Sequence, residues 1–198
     1  MNEKSQQLIV QKDTTSNPAP LGLLGFGMTT VLLNLHNAGL FPLDSVIIAM
    51  GIFVGGLLQV IAGIMEWKKG NTFGKVAFTA YGFFWLSLVA VWTLPKLLGV
   101  NTPTDVSIGS YLLLWGIFTL GMFFGTLKNN RVLQFVFGSL TLLFFLLSIS
   151  DFSHSEGLKI FAGIVGIICG LSAIYLSLAE ILNEVHGKSV LPIFPVKK

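Results

Sequence analysis

Few side chains in this 198-residue chain are able to do acid–base or hydrogen-bonding chemistry, and most of those interrupt or end long apolar runs. Glu66 and Glu180 are carboxylates near the ends of two such runs, and His36 stands at the end of a third. Each is able to take up and release a proton. Gln59 and Gln134 are single amides inside apolar runs, and Thr29, Thr30, Asn34 and Asn37 bring hydroxyls and amides to the end of the first. Such groups suit a small polar solute that is shedding its water. A polar group in a bilayer is costly unless it finds a protein partner, a water or a solute, so each one asks for an explanation.

Two readings stay open for nearly all of them. Phe26, Thr30, Asn34 and Asn37 follow at spacings of four, four and three, near one helix face. A face that changes from apolar to hydrogen-bonding suits the mouth of a solute path, and equally suits amide bonding between helices. Gln59 and Gln134 are open to structural hydrogen bonding or to solute contact. Glu66 closes its run beside Trp67, Lys68 and Lys69. There a carboxylate opposes the helix macrodipole, which calls for a cationic partner or water, or for duty in proton coupling. Tyr81, Trp85, Leu88 and Trp92 form an aromatic-rich stripe suited to packing or to binding.

Catalytic signatures are missing. The chain has no HExxH, GxSxG, Walker loop, CxxC or DxxD pair, and its one cysteine, Cys169, lies deep in an apolar run. No enzyme activity, metal or cofactor is expected. With no dense basic–aromatic patch, no nucleic-acid partner is expected either.

The elements that must position these groups are membrane helices. The chain is 53% hydrophobic and 11% charged, with a mean hydropathy of +0.80. Soluble domains carry about 25% charged residues. The runs Leu21–Leu35 (extendable to Asn37), Val46–Met65, Val76–Leu94, Ile108–Leu127, Val132–Ile149 and Leu158–Leu182 mostly approach the ~20 residues that cross the hydrocarbon. The fold class is all-α integral membrane with six transmembrane helices. Ten of the twelve basic residues fall in the N-terminal tail, the second-to-third and fourth-to-fifth loops and the C-terminal tail; Lys96 and Lys159 are the exceptions. Both termini are therefore expected in the cytoplasm. The expected organisation is a flexible tail over residues 1–16, a transmembrane domain over 17–187 and a cytoplasmic tail over 188–198.

Glycine sets the packing style. Gly22, Gly25 and Gly27 crowd the first helix, behind Pro18 and Pro20, which suit a first helical turn. In the sixth, Gly163, Gly166, Gly170, Ala173, Ser177 and Glu180 follow at spacings of 3, 4, 3, 4 and 3. Gly51, Gly55, Gln59 and Gly63 repeat every four residues in the second. Small-residue stripes let membrane helices approach closely, and they also suit the wall of a narrow pore.

Three motifs in order, NPAPLGL from Asn17, GNTFG from Gly70 and YGFFW from Tyr81, resemble those of the acetate uptake transporter (succinate/acetate permease) family. The similarity runs from Asn17 to Pro192. It implies a six-helix protein of the inner (plasma) membrane, assembled as a homohexamer with a solute path in each protomer. It also implies a constriction of Phe26 in NPAPLGLLGF, Tyr81 in FTAYGFFW and Leu140 in RVLQFVFGSL. The function so implied is uptake of acetate, with succinate and other small monocarboxylates as further substrates and protons as the coupling ion. A passive acetate anion channel and a membrane acetate sensor are the alternatives.

Thr29, Thr30, Asn34, Gln59 and Gln134 are the second-rank candidates for solute contact, and Glu66 is the candidate for proton coupling. Geometry limits one pair. Leu140 follows Gln134 by six residues, about 240° around a helix, so both cannot point straight into one path. If Leu140 lines it, Gln134 contacts the path obliquely or bonds a neighbouring helix.

Overall fold

The computed structural model describes residues 15–196. Six helices are long and apolar enough to cross a membrane: α1 (Ala19–Asn37), α2 (Ser45–Lys68), α3 (Thr72–Leu98), α4 (Asp105–Thr126), α5 (Arg131–Ser153) and α6 (Glu156–His186). Most of the tail expected over residues 1–16 lies outside the described residues.

Each helix starts before its apolar run, and in all but α1 a hydrogen-bonding cap, and not hydropathy, sets the start. Asp44, Asn71, Thr104, Asn130 and Ser155 each accept a backbone N–H of the first turn. The α3 helix continues through Pro95, which forfeits only one hydrogen bond this near the end, and stops at Gly99 in the left-handed conformation (φ 67°). Within α2, Gly51–Leu58 winds as a π-helix. That segment is glycine-rich for a steric reason: a Cβ on Gly51, Gly55 or Gly56 would come within 2.6–2.7 Å of Val89, Trp85 or Leu86 of α3.

The helices form a bundle in which α1 packs most extensively on α6, α4 on α5, α5 on α6, and α2 on α3. The α1–α6 seam is where the small-residue stripes meet. A Cβ on Gly27 would lie 2.7 Å from the Gly170 carbonyl, and one on Gly170 2.8 Å from the Gly27 carbonyl. The backbones touch. Large apolar side chains such as Phe53, Phe83, Leu114, Phe124 and Phe161 point outward, as lipid-facing residues do.

Chain alternation puts the start of α1, the α2–α3 and α4–α5 turns and the end of α6 at one end of the bundle. Asn17 donates to Glu180 (3.1 Å), and Lys69 donates to the Thr15 carbonyl. The residues after α6 return to the same end. Asn183 accepts from the N–H groups of Val190 and Leu191, and the Tyr175 hydroxyl donates to the Pro192 carbonyl. The backbones of Phe194 and Val196 then pair with Arg131 and Asn129. Described to Val196, the segment expected as a tail is a strap across the α4–α5 turn.

Candidate functional site

Between α1, α2, α3, α5 and α6 the bundle encloses a cavity of about 310 Å³, at the small end of the roughly 300–1,000 Å³ typical of small-molecule sites. Its lining changes character along its length. Asn17, Glu66, Asn71, Asn129, Asn130 and Glu180 belong to the end where the loops carry most of the lysines. Leu23, Phe26, Phe78, Tyr81, Phe137 and Leu140 line the apolar part. Phe26, Tyr81 and Leu140 thus border one space, each buried and each from a different helix.

Rings dominate the apolar part. The Phe26 and Tyr81 centroids are 6.2 Å apart, and Tyr81 lies 6.1 Å from Phe137 and 5.7 Å from Phe118. The Tyr81 hydroxyl donates to Thr119 Oγ1 of α4 at 2.9 Å, and that hydroxyl donates to the Trp115 carbonyl at 2.7 Å. This fixes the ring and engages its donor on α4. Thr119 is fully buried and is a residue the sequence reading missed. Its signal was slight: one hydroxyl inside an apolar run.

The carboxylates belong to the polar end. Glu66 sits 2% exposed at the end of α2, where a cationic partner, water or proton coupling was expected. Lys69 is a cation near it, the Asn71 amide donates to its Oε2 at 2.7 Å, and the first turn of α3 packs on it. A Cβ on Gly74 would come 2.7 Å from the Glu66 carboxyl carbon, so only glycine admits this approach. An α3 N-terminus beside the carboxylate offsets the opposing dipole of α2. Asn71 also caps α3 by accepting from Gly74 N–H at 3.1 Å, so one side chain starts a helix and orients a carboxylate. Its cap position made the first role legible; nothing local announced the second.

The amide and hydroxyl candidates separate. Gln59 is buried and lines the cavity, its Nε2 donating to the Gly55 carbonyl at 2.6 Å. Gln134 instead donates to the Thr126 and Leu127 carbonyls and accepts from Arg131, bonding the end of α4 as its angular distance from Leu140 requires. Thr29 Oγ1 donates to the Met50 carbonyl of α2 at 3.5 Å. Asn34 donates to the Thr30 carbonyl, and its side chain fills the space over Gly166 of α6. None of Thr29, Thr30, Asn34 and Gln134 lines this cavity.

Comparison with known proteins bears on the whole assembly of parts. The chain is 61% identical over 178 residues to the succinate-acetate/proton symporter SatP of Escherichia coli K12, an alignment covering 90% of this chain and 95% of that protein. It is 32% identical to acetate permease A of Emericella nidulans, over 90% of this chain and 65% of the relative. A solved structure of the bacterial acetate channel SatP superposes with a TM-score of 0.89 at 61% identity, covering 90% of this chain and 99% of that one. The model of the GPR1/FUN34/yaaH family matches residues 2–198, and the chain belongs to that family.

Proposed function

We propose that this protein transports acetate across a cell membrane, with Phe26, Tyr81 and Leu140 as the constriction of its path. One observation carries the reading: a cavity graded from amides and carboxylates to rings ends on those three side chains, in a chain 61% identical to a succinate-acetate/proton symporter. The apolar ring strips water from a solute and limits its size, and the polar end rehydrates it. Succinate is a further substrate, Glu66 takes part in proton coupling, and Gln59 is the amide best placed to touch solute. The basic loops favour a cavity mouth and both termini in the cytoplasm, in the inner (plasma) membrane of the cell. Six copies form a homohexamer, each with its own path.

A second reading, a passive acetate channel, is favoured by the solved relative, which is described as an acetate channel. Labelled acetate uptake into proteoliposomes separates the two. Accumulation above the outside concentration only under an inward proton gradient, after subtracting leak into empty liposomes, establishes proton coupling. Uptake that follows the acetate gradient and membrane potential alone makes it an anion channel. No uptake above the empty-liposome control sinks the transport reading.

A further inference from the structure

We infer that the cavity binds acetate as the neutral acid, its hydroxyl donating in turn to the side-chain oxygens of Gln59 and Glu66, so that proton and acetate cross as one molecule. This rests on the reading of the cavity as an acetate path.

The argument is one of donors and acceptors. A carboxylate anion has acceptors only and needs donors; a carboxylic acid carries one O–H and needs an acceptor. Gln59 is fully buried, and its Nε2 lies 2.6 Å from the Gly55 carbonyl. A carbonyl only accepts, so this contact fixes which end of the amide is nitrogen. The remaining atom, Oε1, is buried without a partner. Glu66 repeats the arrangement: Oε2 accepts from Asn71, and Oε1 is buried without a partner. Seven residues separate the two on one face of α2, about 10 Å along the axis, and both line the cavity.

The donors beside the two acceptors face other partners. The Tyr81 hydroxyl donates to Thr119, and one N–H each of Asn71 and Asn17 goes to Glu66 and Glu180; the amides of Asn129 and Asn130 belong to the polar mouth. Among the described residues, no lysine or arginine lines the cavity. The charged groups around Glu66 are Glu180, which shares the cavity from α6, and Lys69, three residues on, which donates to the Thr15 carbonyl. Two carboxylates and two open acceptors make a poor host for an anion and a fitting one for an acid hydroxyl. A neutral molecule also sheds water at the Phe26–Tyr81–Leu140 ring at far lower cost than an ion. One proton then accompanies each acetate without a separate proton route.

The test ranks competitors against labelled acetate uptake by the unmodified protein in proteoliposomes at pH 6, with empty-liposome leak subtracted. Acetamide matches acetic acid in size, stays neutral and keeps a donor. Monofluoroacetate has nearly the size of acetate, but its acid is stronger and therefore far less protonated at this pH. Expected is competition by acetamide, and by monofluoroacetate more weakly than by unlabelled acetate, in proportion to its smaller protonated fraction. Gln59→Leu should raise the KM for acetate by about tenfold, the ratio that one good hydrogen bond supplies, and weaken acetamide, whereas Glu66→Gln, which keeps a carbonyl acceptor, should preserve the ranking. Monofluoroacetate matching acetate while acetamide is inert would overturn the inference and leave acetate transport standing. Competition by methylammonium with acetamide inert would overturn it too, assigning the acceptors to a cation. Absence of acetate uptake would remove both this inference and the function beneath it.

Discussion

Two seams hold the bundle together in opposite ways. Along α1–α6 the contact is backbone on backbone, with Gly27 and Gly170 each bringing a carbonyl to where the other's side chain would be. Between α3 and α4 the contact is made by rings: Phe84 stacks on Tyr111 at 5.8 Å, meets Trp115 edge-on at 5.2 Å, and Tyr81 reaches Thr119. A glycine seam has no rotamers and one spacing. A ring seam has spacing that side chains set, and side chains turn. The cavity-lining Tyr81 belongs to the second kind, and the polar residue Asn34 belongs to the first. A polar residue in a membrane helix is thus no guide to a path until its seam is known.

The sharpest break of this contrast is Gly170→Leu, whose side chain would start 2.8 Å from both the Gly27 carbonyl and the Val31 nitrogen. Backbone cannot step aside as a side chain can, so destabilisation should exceed the ~1–3 kcal/mol of ordinary overpacking and abolish the folded peak in detergent size-exclusion chromatography. Leu140→Ala acts on the path and not on a seam. It should shift the uptake ratio of a four-carbon to a two-carbon acid by about tenfold, the scale of a pocket difference of one to a few methylenes; an unchanged ratio argues against Leu140 in the constriction.

Thr119→Val probes the ring seam. It leaves the buried Tyr81 hydroxyl without its acceptor, a cost of about 1–3 kcal/mol that Thr119→Ser avoids. In a Tyr81→Phe background the same change should cost markedly less in thermal unfolding, because the coupled partner is already gone. Asn71→Ala removes one cap, worth about 1 kcal/mol, and also leaves the buried Glu66 carboxylate without its donor, for about 1–3 kcal/mol more. Smallest is Gly121→Ala on α4, where a Cβ meets nothing within 4 Å. It should be neutral or stabilising by up to ~1 kcal/mol, setting the baseline for helical glycines outside the seams.

The six helices and the basic end were legible because both rest on one-dimensional signals, apolar length and loop charge. The three residues proposed as a constriction were singled out only by resemblance, through NPAPLGLLGF, FTAYGFFW and RVLQFVFGSL; nothing in the apolar composition of Phe26 or Leu140 marks a path-lining residue. The fate of the polar candidates could not be read. Gln59 and Gln134 are the same residue type in similar runs, and what divides them is their neighbours: the π-wound turn before Gln59, and the carbonyl-bearing end of α4 beside Gln134. Asn34 looked suited to a solute because Gly166, which makes room for it, lies 132 residues away.

The π-helical stretch of α2 has a consequence for length variation. A π-turn takes up an additional residue without lengthening the connections at either end, so its natural reversal is a deletion. Removing Gly56 would let Gly51–Leu58 rewind as ordinary α-helix. Because the π-turn is what absorbs the extra residue, the segments on either side then stay close to their present register, and Gln59 and Glu66 keep facing the cavity. A deletion elsewhere in α2 has no such turn to absorb it and would swing the side chains beyond it by about 100°. A lost codon is thus least disruptive inside this stretch of α2.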